Sequence, residues 1–78
     1  MIYDKVCELV MNQLPVKKES IRMDSRLVED LGADSANVMI LIMDIEQEFD
    51  ITVDDDVLTG IHTVGDIVDY LEKHANKG

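Results

Sequence analysis

The 78-residue chain has no tryptophan, one phenylalanine, two tyrosines, one proline and one cysteine. With so little aromatic bulk, Ile, Val, Leu and Met must fill the interior, and with one cysteine no internal disulfide is possible. Cys7 sits in a helical apolar pattern and reads as a small buried hydrophobe rather than a reactive thiol. No apolar run is long enough to span a bilayer, and the start lacks the basic-then-apolar pattern of a signal peptide. A soluble, cytoplasmic protein of one domain is expected. Bases are scarce as well: seven Lys and Arg stand against seventeen Asp and Glu, a net charge of −10. Such a field repels nucleic acid and anionic membrane and steers in proteins with basic patches.

The acids are not spread evenly. Residues 24 to 56 hold eleven acids and one base, Arg26, and so carry the whole excess. Uneven placement argues for a partner-facing region rather than for solubility alone.

The centre of that region is Asp30-Leu31-Gly32-Ala33-Asp34-Ser35-Ala36 and the helix it introduces, to about Phe49. Asp34 is an N-cap candidate, since its carboxylate can accept from unpaired N–H groups of the first turn. Gly32 allows the sharp bend before it. Ser35 is then the first helical residue, its hydroxyl at the positive end of the helix dipole, where a phosphate ester would be favoured. At about 100° per residue, Val38, Leu41, Ile42, Ile45 and Phe49 form a core stripe. Ala36, Met39, Ile40, Met43 and Gln47 form a second stripe on the opposite side, running down from Ser35. Asp44 and Glu48 flank it on one edge, Glu46 and Asp50 on the other. A chain this short can hardly cover both faces, so the second stripe is predicted to dock partners.

Elsewhere, Ile2, Val6, Leu9, Val10 and Leu14 recur at helical spacing, with Tyr3 and Cys7 on the margin, and Pro15 ends that helix. Val16 to Ala33 shows no sustained period and reads as a long loop pinned to the core by Val16, Ile21, Leu27, Val28 and Leu31. Ser20 and Ser25 read as ordinary polar loop residues. Asp54-Asp55-Asp56 starts one or two helical turns that stop near Gly60. Thr63 and Asp66 resemble a capping box for a last helix over Val64, Ile67, Val68 and Leu71 to about His74, after which the end should fray. The fold class is all-α: a small four-helix bundle of three main helices and one short one, with a long loop between the first two.

These residues resemble the acyl carrier protein family along nearly the whole chain. Val28-Glu29-Asp30-Leu31-Gly32-Ala33-Asp34-Ser35 is similar to its attachment-site motif, Ile45 to Ile51 to the end of its second helix, and Thr63-Val64-Gly65-Asp66 to the start of its last. The resemblance implies that a phosphopantetheinyl transferase moves 4′-phosphopantetheine from coenzyme A to Ser35, with Asp34 and Gly32 shaping the site. The arm would then carry acyl thioesters among synthase enzymes of fatty-acid or related lipid and polyketide synthesis. It implies docking through Ala36, Met39, Ile40, Met43, Asp44, Glu46, Gln47 and Glu48. By position, an acyl pocket would draw on Ile42, Ile45, Val57, Leu58 and Ile61, which are equally well read as plain core. The chain departs from the family in Asp34-Ser35-Ala36, where Asp-Ser-Leu is usual, in Asn37 where an acid is common, and in Ile40 where a glutamate is usual. These changes point to a specialised carrier for a dedicated acyl pathway.

Three alternatives stand beside this. An aminoacyl or peptidyl carrier uses the same serine and arm. An acidic divalent-cation-binding module is conceivable from Asp50, Asp54, Asp55 and Asp56, but the closed loop of alternating oxygen ligands is missing and no metal site is predicted. An enzyme is disfavoured: His62 and His74 have no metal-ligand spacing, and Ser35 has no base near it in sequence. A monomer is expected.

Overall fold

A computed structural model describes residues 2–74. The predicted fraying beyond His74 lies outside the described residues. Four α-helices follow one another: α1 (Ile2–Gln13), α2 (Ser35–Phe49), α3 (Asp55–Leu58) and α4 (Val64–His74). No strand occurs among the described residues, so the all-α reading holds.

α1 packs against both α2 and α4. It runs antiparallel to α2, as two cross-links show: Gln13 Nε2 donates to Asp44 at 3.3 Å, and Lys5 Nζ lies 3.5 Å from Glu48. Val6, Cys7 and Val10 of α1, Leu41, Ile42 and Ile45 of α2 and Val64, Ile67, Val68 and Leu71 of α4 share one buried core. Cys7 is therefore central to the interface and not on its margin, because α1 buries residues toward two neighbours and its apolar face is wider than one stripe.

The segment between α1 and α2 is more ordered than a plain loop. A 3₁₀ turn spans Lys18–Ser20, and an isolated antiparallel bridge joins Arg26 to Thr63. Ile21, Leu27 and Leu31 are buried as predicted, and the Tyr3 hydroxyl donates to the Ile21 carbonyl at 2.9 Å. Val28 departs from the prediction and is exposed. Ser25 departs too: it is buried, its Oγ accepts from the Arg22 N–H at 2.9 Å, and its carbonyl accepts from the Val64 N–H at 3.0 Å. Leu27 N–H donates to the His62 carbonyl at 2.9 Å, so the loop is stitched along the chain leading into α4.

The predicted box at α4 is formed. The Asp66 carboxylate accepts from the His62 and Thr63 N–H groups at 2.9 and 3.1 Å, while Thr63 Oγ1 accepts from the Asp66 N–H at 3.1 Å. These donors, that of His62 foremost, hold the Asp66 carboxyl below its ordinary value even though burial opposes them. α3 is a single turn. The chain leaves it through Thr59 in a right-handed conformation, so Gly60 follows the stop without needing a left-handed backbone.

Candidate functional site

α2 begins at Ser35 because Asp34 and Asn37 close on each other. Asp34 Oδ1 accepts from the Asn37 N–H at 2.8 Å, and Asn37 Oδ1 accepts from the Asp34 N–H at 3.2 Å. This is a capping box with asparagine in the place glutamate or glutamine usually takes. Gly32, two residues before the cap, has φ +81°, the left-handed conformation that glycine adopts without cost. The Val38 N–H donates to the Asp34 carbonyl at 3.0 Å. That leaves the N–H groups of Ser35 and Ala36 without a protein acceptor among the described residues. Ser35 itself is exposed.

An apolar cleft of about 310 Å³ opens beside Ser35, lined by Val28, Val38, Met39, Leu58, Thr59 and Ile61. It divides the five predicted pocket residues. Leu58 and Ile61 line it, but Ile42 and Ile45 belong to the closed core, and Val57 lines a separate groove toward α4. The helical period shows that Ile42 and Ile45 point inward; it does not show whether the interior there is filled. Val28, Val38, Met39 and Thr59 were not predicted in the cleft: the sequence pattern puts Val28 among the residues pinning the loop to the core, Val38 in the core stripe and Met39 in the second stripe.

The second stripe of α2 is open to solvent: Met39, Ile40 and Met43 are 50%, 44% and 52% exposed, and Ala36 and Gln47 are exposed as well. Of the four acids predicted beside it, Asp44, Glu46 and Glu48 are engaged within the molecule, while the Asp50 side chain has no partner among the described residues. Asp44 holds Gln13, Glu46 Oε2 accepts from the Val53 N–H at 2.8 Å, and Glu48 faces Lys5, whose pKa it raises along with Glu8. No group of three or more His, Cys, Asp or Glu among the described residues is placed to hold a metal ion.

The family model for the phosphopantetheine attachment site matches residues 4–71. The chain belongs to the acyl carrier protein family. It is similar to the acyl carrier protein of Sulfurovum sp., 45% identical over 71 residues that cover 91% of this chain and 95% of that one. It is similar also to that of Clostridium perfringens, 38% identical over 97% of this chain and 100% of the relative. Among solved structures, an acyl carrier protein from Enterococcus faecalis superposes with a TM-score of 0.79 at 29% identity, covering 92% of this chain and 91% of that one. The prosthetic group of a carrier of this family is covalently attached 4′-phosphopantetheine. The residues around Ser35 fit such a group: an exposed hydroxyl, two unshared N–H donors for a phosphate and an apolar cleft alongside.

Proposed function

We propose that Ser35 is the attachment point and that the chain carries acyl intermediates as thioesters on the arm. What carries this reading is the exposed Ser35 hydroxyl at the first residue of a capped helix, inside a span that matches the attachment-site family. On loading, Ser35 Oγ forms the new bond to phosphorus, and the adenosine bisphosphate portion of coenzyme A leaves with the electrons of the broken P–O bond. The side chains that line the cleft beside Ser35 include no titratable group, and the neighbouring Asp34 carboxylate is engaged as the helix cap, so the hydroxyl proton is assigned to a base of the transferase. Once bound, the arm supplies a thiol for thioester exchange. The chain contributes the oxygen, the N–H donors of Ser35 and Ala36, and the cleft, whose apolar lining favours acyl over aminoacyl cargo. It is a carrier and not a catalyst.

The partners are a phosphopantetheinyl transferase and acyl-transferring or synthase enzymes, docking along Ala36, Met39, Ile40, Met43 and Gln47 with Asp44, Glu46 and Glu48 at the margins. A cytoplasmic monomer is part of this proposal; among the described residues no helix is long and apolar enough to cross a membrane. The test is acyl transfer: after incubation with coenzyme A, a transferase and an acyl-carrier synthetase with labelled fatty acid, label should stay on the chain and be released by hydroxylamine. Label that resists hydroxylamine, or that attaches equally to Ser35→Ala, would refute it.

A further inference from the structure

Among the described residues three methionines are exposed: Met23, Met39 and Met43. An exposed thioether is open to oxidation by peroxide, whereas the one thiol, Cys7, is fully buried and shielded from it. The three methionines differ in their surroundings. Met23 adjoins the start of α4, where its carbonyl accepts from the Gly65 N–H, and it does not line the cleft at Ser35. Met43 lies farther down α2 and does not line it either. Met39 stands one turn below Ser35, at the i,i+4 spacing that puts both on one face of α2, and the two line the cleft together. The remaining lining is Val28, Val38, Leu58 and Ile61, with Thr59, whose hydroxyl already donates to the Asp56 carbonyl at 2.8 Å. A sulfoxide oxygen on Met39 would therefore find no side-chain donor in the cleft except the Ser35 hydroxyl, the group that must stay free to attack.

We propose that Met39 is an oxidation site that controls loading of Ser35: peroxide turns its thioether into the sulfoxide, and the sulfoxide weakens engagement of the transferase. This rests on the carrier reading above and adds its regulation. A sulfur lone pair attacks one oxygen of hydrogen peroxide, and the O–O bond breaks. The departing hydroxide takes the proton of the transferred oxygen and leaves as water, so sulfur loses two electrons and peroxide gains them. An enzyme that reaches Ser35 has to cover Met39. Covering an apolar thioether is favourable, and covering a sulfoxide dipole with no donor is not. The penalty falls on binding, because the Asp34 and Asn37 cap that sets the helix start is untouched. It spares folding, because Met39 is half exposed and stands outside the closed core.

The experiment treats the unloaded chain with dilute hydrogen peroxide, removes the excess and locates the added oxygens by peptide mass. Loading is then followed with coenzyme A and a phosphopantetheinyl transferase. The oxidised chain should show KM raised by about tenfold and kcat changed by less than about twofold, with its circular dichroism unaltered. Met39→Leu keeps the bulk and the apolar character, so it should load normally and stay insensitive to peroxide while Met23 and Met43 still oxidise. Met39→Gln, polar at the same position, should raise KM with no oxidant present. The proposal is overturned if Met39 stays unoxidised while Met23 and Met43 react, or if the oxidised chain keeps its KM. It is overturned equally if Met39→Gln loads with the unmutated KM, or if peroxide impairs Met39→Leu as much as the unmutated chain. Each of these results leaves the untreated chain loaded and so removes this proposal alone. An untreated chain that is never loaded removes the carrier reading, and this proposal with it.

Discussion

Asp34 and Asn37 exchange hydrogen bonds across the first turn of α2, side chain to main chain in both directions, at 2.8 and 3.2 Å. The pair fixes where the helix starts and therefore which residue presents its hydroxyl there. Asp34→Ala removes the shorter bond and should cost about 1 kcal/mol of stability, the usual value of a lost N-cap. Asn37→Ala should cost less, because it spares the Asp34 acceptor. The two bonds share one geometry, so in urea unfolding the double variant should lose less than the sum of the single losses. Additive losses would show that the two bonds act independently.

Gly65 is constrained by space rather than by conformation. A Cβ placed there would lie 2.7 Å from the Met23 carbonyl oxygen, the atom that also accepts the Gly65 N–H at 2.7 Å. Alanine would favour the helix by up to about 1 kcal/mol, but overpacking against a backbone oxygen costs roughly 1–3 kcal/mol. Gly65→Ala should therefore lower the melting temperature and loosen the loop around Met23. A raised melting temperature would mean that this loop yields freely.

Asp66 gives a pH dependence with a definite sign. Its carboxyl is held below its ordinary value by the N–H groups of His62 and Thr63, so the folded state favours the charged form. The stabilisation is complete above the unfolded value of 3.8 and is lost as pH falls through the lower folded value. Asp66→Asn should show a shallower acid unfolding limb below about pH 4 and a loss on the order of 1 kcal/mol near neutrality. An unchanged acid limb, followed by circular dichroism, would assign the pH dependence to other carboxylates.

Much of this was legible in the sequence where local chemistry decides. Asp34 and the two stripes bound α2 at the residues observed, and Thr63 with Asp66 marked α4, because caps and periodicity act within a few residues. What stayed hidden depends on segments far apart in the chain. Ser25 looks like any loop serine until its carbonyl meets the Val64 N–H, and Gly65 looks dispensable until Met23 arrives above it. The cleft at Ser35 joins Val28, Met39 and Leu58 from three separate segments, so no helical wheel contains it. The charge of Asp44, Glu46 and Glu48 was visible, but not their engagement with Gln13, Val53 and Lys5.

The most direct test of Ser35 is intact mass after incubation with coenzyme A and a broad-specificity phosphopantetheinyl transferase. The unmutated chain should gain the mass of one phosphopantetheine, and Ser35→Ala should gain nothing. A chain that gains no mass with several such transferases, or a Ser35→Ala variant that gains the same mass, would contradict the assignment.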